Sequence, residues 1–598
     1  MKLSKVNRAS ALLRSADHRN WIEAILLVVW LVLGMGLRFT NLDLKPASSI
    51  EISTMGYSLG HGFSKIPFDQ IIPASTLLAP LQFDQAISYA AVFQRLMSES
   101  THPPLFFWLT HWWIKLWVNN GELVSLGIVR SLSAIIGGLA VPAVFGLSWL
   151  AFRSRLAAHL AAILMAVSPY GINLAQEARH YTLTILWVIA SVACLIVAIH
   201  CINQQIRLPI WLCCVWILVN SLGVATHYFF ILALSAEAMA IAIFWFCDRE
   251  ALLRSADRQR QTATQSNYRY WWRITLVGLG TLIGCLVWLP VALGIPSNEL
   301  TSWIDTNFAL DQIFQPIPRL LAWVITMVML LPVEGTPTIV TVISALVMLS
   351  LLIWAIPALI QGWLSQLGNQ TTRLPVVILG SYFLGSIVAS LVVIYGLGKD
   401  ISLAARYHFV GFPIFIVLIA VALAACWQGY GYTREVDSTL PNTVSISDNF
   451  RPAKNQKVVV VLLIIGLLSS LSVLNDYGFQ KSRHSDDLAA YIQANSSLPA
   501  IVAMTHQTHS ELRELIGLAF SFTRLNSQEL LFSDLPKFLL VQQQQNLGQI
   551  LATQPKPLDL WGVNLKIDDE NIAQLGCVRD TAIDLANSGY SDRLYHCH

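Results

Sequence analysis

The chain has 598 residues, of which 55% are hydrophobic and only 12% charged, with a formal net charge of +3 and a mean hydropathy of +0.57. Soluble domains carry about a quarter charged residues, so this composition excludes one large water-soluble core. The near-balanced charge excludes the global basic field that marks nucleic-acid binding.

The first apolar run, Trp21 to Phe39, has no small-residue cleavage site behind it and reads as a retained membrane span. Lys2, Lys5, Arg8, Arg14 and Arg19 precede it and place the N-terminus on the cytoplasmic side. A polar loop of roughly 60 residues follows, longer than connections usually are without a function. It runs from 40 to 102 and carries Asp43, Glu51, Asp69, Asp84 and Glu99. Any one of these carboxylates is, by default, a solvated loop charge. The stretch Gln82 to Met97 is amphipathic, and we expect it to lie on the membrane surface.

Further spans are expected to start near Gly127, Leu156, Tyr181, Leu208, Tyr228, Trp272, Thr338, Pro375, Tyr407 and Val458. Two apolar segments, Pro103 to Val118 and Arg319 to Leu331, are short. Arg153 and Arg155, the arginines of an expected loop from Asp248 to Arg273, and Arg451, Lys454 and Lys457 all favour the cytoplasmic side. These placements agree with one another only if neither short segment crosses. The expectation is therefore about 11 full spans plus two non-crossing helices, with about 13 as the upper count. Thr433 to Lys457 reads as a cytoplasmic linker.

The fold expected is an all-α polytopic membrane domain over 1–474 and a small C-terminal extracytoplasmic α/β domain over 475–598. In the tail, Asp486 to Asn495 reads as a helix, and Ala500 to Met504 and Phe538 to Val541 as apolar strands. An external tail allows Cys577 and Cys597 to form a disulfide. The other seven cysteines fall in or beside apolar runs and read as small core residues.

Parity places four polar groups on one outer face. They are the first loop ending in His102, the segment Gln176-Glu177-Ala178-Arg179-His180-Tyr181, the turn Thr226-His227-Tyr228, and Ala405-Arg406-Tyr407-His408. Ionisable residues at the hydrocarbon boundary are expensive and default to a functional reading, although Arg179 paired with Glu177 for topology alone is the equal alternative. Arginine suits phosphate because its planar fork donates bidentately. A cationic outer rim is a seat for a lipid-linked phosphate. Glu237 is the one clear carboxylate deep in an apolar run.

These elements resemble the membrane glycosyltransferases of the GT-C fold, and among them the bacterial relatives of protein O-mannosyltransferases and aminoarabinose transferases. The likeness is carried by Leu37-Arg38-Phe39-Thr40-Asn41-Leu42, His102-Pro103-Pro104-Leu105, Arg130-Ser131, Ser168-Pro169-Tyr170 and the Gln176 to Tyr181 element. It covers roughly Leu31 to Tyr228, with Arg406-Tyr407 beyond. The resemblance implies a glycosyltransferase of the bacterial cytoplasmic membrane that moves a sugar from a polyprenyl-phosphate donor to a hydroxyl acceptor at the outer face. It implies an inverting displacement with a first-loop carboxylate as base. Arg179, Tyr181, Arg406 and His180 would hold the donor phosphate, and His102, His227 and Tyr228 would line the substrate site. The family's Asp-Glu pair reads Ile50-Glu51 here, so the base falls to Glu51 or Glu99. No cofactor is required by the sequence. A divalent cation is compatible with the loop, but its oxygen ligands are few. The alternative is a catalytically degenerate relative, or a non-enzymatic polyprenyl-lipid or glycan transport protein.

Overall fold

The computed structural model describes residues 3–100, 102–254, 260–289, 291, 302–306, 312–429, 455–525, 535–543, 546–581 and 588–598. The linker expected over Thr433 to Lys457 falls almost wholly outside these residues.

The protein is a multi-pass membrane protein. Among the described residues, seven helices are long and apolar enough to cross a bilayer: Trp21–Phe39, Leu126–Phe152, Tyr181–Asn203, Phe230–Cys247, Thr338–Gly368, Arg373–Gly396 and Gln456–Leu474. The pair Arg155–Ala166 plus Pro169–Ala175, bent by 54°, is long and apolar enough when taken together and has the shape of a broken span or a re-entrant loop. Ser168 makes the break workable by accepting from Gly171 N, and Pro169 starts the second piece where a missing N–H costs nothing. Arg38 caps the first piece by donating to Met165 O (3.0 Å) and Ala166 O (3.2 Å). Buried inside the membrane domain, it satisfies carbonyls that the break leaves open.

Ile210–Thr226, Trp271–Leu286, Pro316–Thr326 and Phe412–Gln428 are shorter apolar helices. Each of the eleven expected spans corresponds to one of these helices, but three of them, Ile210–Thr226, Trp271–Leu286 and Phe412–Gln428, are shorter than a full span, and Tyr407 lies in the turn Ala405–Val410 that precedes its helix. The two doubtful segments form Leu105–Trp117, with 13 residues, and Pro316–Thr326, with 11. At 1.5 Å per residue they reach only about 20 and 17 Å, short of a hydrocarbon core of about 30 Å. The stretch expected to be a loop from Asp248 to Arg273 is instead helical up to Arg254 and again from Arg260. Good helix formers such as Glu250, Ala251 and Leu252 carry the helix past the point where the apolar run ends.

The tail is the expected small α/β unit. Its strands are β2 (Ala500–Thr505), β3 (Lys537–Val541), β4 (Leu558–Val563), β5 (Cys577–Asp580) and β6 (Asp592–Cys597). β2 pairs in parallel with β3 on one side and β4 on the other, and β6 and β5 extend the sheet antiparallel. The centre strands β2, β3 and β4 read as apolar runs because the sheet is covered on both faces. Cys577 and Cys597 form a disulfide.

The first loop supplies the remaining edge strand, β1 (Ile71–Ile72), antiparallel to β3. It also supplies the helices Ser49–Ser58, Ala74–Leu78 and Tyr89–Glu99. Ile52, Met55, Leu77 and Leu81 of the loop share one buried core with Leu515, Ile516 and Ala519 of the tail helix His509–Leu525. The loop is thus a layer between the membrane helices and the tail sheet. That layer holds the polar groups discussed next.

Candidate anion-binding site

The element from Gln176 to Tyr181 is a turn between two membrane helices, and it is fastened at almost every residue. Gln176 Nε2 donates to Thr40 O (2.8 Å), and Ser133 Oγ donates to Arg179 O (3.1 Å). Glu177 is ion-paired with Lys481, at the start of the tail. Ala178 N donates to Glu51 Oε1 (2.9 Å).

Glu51 is the hub of this framework and is fully buried. Arg130, equally buried, grips it bidentately, Nε to Oε1 at 2.8 Å and Nη2 to Oε2 at 3.0 Å. Ser48 N and Oγ donate to Oε2 as well (3.1 and 3.0 Å), which caps the helix Ser49–Ser58. Burial alone would raise the Glu51 pKa, but the charges of Arg130 and Lys481 outweigh it and hold the carboxyl far below the usual range. Arg130 spends its other donors on Leu42 O, Lys45 O and Pro46 O. Glu99, the second carboxylate expected at the site, accepts from Arg95 Nη1 (2.7 Å), Phe63 N (3.0 Å) and Ser64 Oγ (3.0 Å). Both carboxylates are therefore engaged in structural bonds.

What the fixed turn presents is Arg179. It is 4% exposed. Its Nη1 donates to Thr54 Oγ1 (3.0 Å), its Nη2 donates to His102 Nε2 (2.9 Å), and its Nε has no partner. Its guanidinium lies 5.8 Å from the centre of the Tyr181 ring. Because arginine only donates, His102 Nε2 is the accepting nitrogen, and Nδ1 carries the proton toward Ser100 Oγ (3.1 Å). His227 has the opposite tautomer, since Phe229 N donates to its Nδ1 (2.9 Å) and leaves the proton on Nε2. His180 is fully buried, lies 4.3 Å from His227 ring to ring, and has no partner at either ring nitrogen. Burial and then the neighbouring cations keep all three imidazoles neutral; His227 is pushed down to about 3, and His102 and His180 lie well below the ordinary value.

Arg406 reaches the same region on the short turn Ala405–Val410, which Tyr170 Oη anchors at Ala405 O (2.9 Å). Its guanidinium stacks over Trp303 (5.2 Å) and Tyr407 (5.3 Å). Phe409 of that turn packs on Tyr181 and His227. A third cation, Arg513, comes from the tail helix and donates to Ser53 Oγ (2.5 Å), one residue from the Thr54 that holds Arg179. Among the described residues, Arg179, Arg406 and Arg513 form no ion pair with a carboxylate. Arg179 is therefore not neutralised by Glu177, whose partner is Lys481.

The structure brings together Arg179, Tyr181, His180, His102, His227 and Arg406. It leaves Tyr228 aside, packed on Trp288 with its hydroxyl unpartnered. Sequence reasoning missed Arg513 and Trp303. Arg513 carries no local signal, because only the tail's docking on the first loop brings it near. Glu237 is buried among Ser191, Asn220 and Trp216 within the membrane helices and belongs to a separate network. Among the described residues, no three His, Cys, Asp or Glu side chains converge as a metal-binding set. A cavity of about 350 Å³ in the tail, bounded by Ile492, Ser496, Phe522 and Lys537, shares no wall with the arginine cluster.

No family model matches the chain, and no curated protein sequence does. Among solved structures, the protein is similar to ArnT from Cupriavidus metallidurans bound to undecaprenyl phosphate, at 10% identity and a TM-score of 0.49, over 96% of this chain and 98% of that one. It is also similar to the oligosaccharyltransferase AglB from Archaeoglobus fulgidus in complex with an inhibitory peptide and a dolichol-phosphate, at 11% identity and a TM-score of 0.43, over 84% of this chain and 64% of that one.

Proposed function

We propose that the protein transfers a sugar from a polyprenyl-phosphate donor to a hydroxyl acceptor at the non-cytoplasmic face of the membrane. The observation that carries this reading is a set of three arginines without a carboxylate partner among the described residues, Arg179 and Arg406 at the ends of membrane helices and Arg513 on the tail helix. A phosphate there would be held by charge-assisted hydrogen bonds in a poorly hydrated site, where such bonds also stabilise charge on a departing phosphate. The unpartnered Nε of Arg179 is a donor ready for it. The aromatic rings of Tyr181, Tyr407 and Trp303 orient the guanidinium planes.

In this reading the acceptor oxygen attacks the anomeric carbon in line with the departing lipid phosphate, so the anomeric configuration inverts. Glu51 acts as a positioning residue, because it fixes Arg130 and the Ala178 backbone and thereby the turn that aims Arg179. The Cys577–Cys597 disulfide supports an oxidising, non-cytoplasmic side for the tail and hence for the site.

The test uses the full-length protein in nanodiscs with a panel of short-chain polyprenyl-phosphate hexoses and pentoses. Wild type should release polyprenyl phosphate in the presence of an acceptor. Arg179→Ala should weaken binding of undecaprenyl phosphate about 10- to 150-fold, the equivalent of about 1.5–3 kcal/mol for a hydrogen bond to a charged group. The engaged state of Glu51 and Glu99 favours a second reading, a lipid-phosphate binder without transfer. Binding without any sugar release across the panel would establish that reading and reject the first.

A further inference from the structure

With Glu51 and Glu99 both consumed by structural bonds, the proposed transfer needs another group to take the acceptor's proton. We infer that His102 Nε2 is that group, and that Arg179 masks it until the donor's phosphate arrives. The inference rests on the transferase reading above.

The argument starts from the tautomers. Of the three clustered histidines, His227 carries its proton on Nε2, because Nδ1 is already accepting from Phe229 N, so its free nitrogen is a donor. His180 is completely enclosed. His102 alone combines a defined lone pair with some surface exposure. Its ring is held from behind: Nδ1–H points to Ser100 Oγ, and Ser100 Oγ in turn accepts from His102 N (3.3 Å). A base oriented by a third group through its other nitrogen is the arrangement that proton abstraction requires. The His102 lone pair is occupied by one partner only, Nη2 of the arginine proposed to bind phosphate.

The chemistry follows from that one contact. Arg179 has a vacant Nε–H beside the Nη2 that engages His102. A phosphate that takes these two donors bidentately competes directly with His102 for Nη2. Nε2 is then released beside the phosphate that carries the anomeric carbon. The arriving negative charge also offsets Arg179 and Arg406, which otherwise oppose protonation of the ring. Burial, Arg179, His227, Arg513 and Arg406 all act on His102 in this direction, so a phosphate among them makes the imidazole a stronger base when the donor is in place. In the step itself, a new bond forms between the acceptor oxygen and the anomeric carbon. The bond from that carbon to the phosphate oxygen breaks, and its electron pair leaves with the polyprenyl phosphate. The acceptor's proton passes to His102 Nε2 and from there to solvent.

The experiment compares two nucleophiles on His102→Gln and wild-type protein in nanodiscs, with a donor that the wild type turns over. A hydroxyl acceptor needs a base, whereas azide, already an anion, does not. For His102→Gln we expect transfer to the hydroxyl acceptor to fall about 10²- to 10⁴-fold, the usual contribution of a positioned base. Transfer to azide should fall far less than transfer to the hydroxyl, because azide has no proton to lose. Equal loss with both nucleophiles would make His102 a structural support of Arg179 and overturn the inference. So would unchanged transfer to the hydroxyl. A His102→Gln protein that no longer binds undecaprenyl phosphate would be replaced by His102→Asn, read in the same way. Failure of the wild type to release polyprenyl phosphate from any donor would instead reject the transferase reading itself.

Discussion

Glu51→Gln separates the two roles that a first-loop carboxylate can have. The substitution keeps the size of the side chain but removes the negative charge facing Arg130, where both groups are fully buried. It also turns one accepting oxygen into a donor. Every atom around that position is itself a donor: Arg130 Nε and Nη2, Ala178 N, and Ser48 N and Oγ. Breaking one side of a buried pair costs about 3–5 kcal/mol because the other charge is left uncompensated. That corresponds to about two to four powers of ten in the folding equilibrium. The variant should therefore inactivate much faster on mild heating in detergent. Wherever it remains folded, hydroxyl and azide transfer should decline together, because the whole turn carrying Arg179 loosens. Thermal inactivation rates and the two-nucleophile assay measure both effects. A Glu51→Gln protein as heat-stable as wild type that lost only hydroxyl transfer would refute this reasoning and make Glu51 the base.

Three further outcomes follow from the same geometry. Arg513→Ala should lower the affinity for undecaprenyl phosphate without dissociating the tail, since its neighbours Leu512 and Leu515 keep the apolar contact with the first loop; equilibrium binding and limited proteolysis check the two halves. Cys577→Ser opens a loop closed across 20 residues and should destabilise the tail by about 3 kcal/mol; in intact cells, the wild-type pair should react with an impermeant maleimide only after reduction. The His102 ring must be neutral to accept a proton, and its pKa is depressed, so the neutral form persists as pH falls through the ordinary histidine range. The acid limb of kcat/KM for the donor, which reports the free enzyme, should lie well below pH 6.5; that of kcat, with the phosphate bound among Arg179, Arg406, Arg513, His180 and His227, should lie higher.

The sequence by itself determined which segments are apolar helices. A run of apolar residues is a local property, and the bilayer forces its backbone to hydrogen-bond within the run. It also placed Arg179, His180, His227 and Arg406 at helix ends on one side, because charge asymmetry and parity are sums along the chain. The charge of Glu51 was legible, but its use was not. Whether a carboxylate is a base or a strut depends on what surrounds it, and its partner Arg130 lies 79 residues away. Ser53 and Arg513 are separated by 460 residues. The pairing of Ile71–Ile72 with β3 is equally remote, and a two-residue strand has no periodicity to read. Only the tertiary structure decided these contacts. They depend on three layers being stacked, membrane helices, first loop and tail sheet, so that donors from each meet around one turn. That stacking engages Glu51 and Glu99 in structural bonds and leaves Arg179, Arg406 and Arg513 without a carboxylate partner among the described residues.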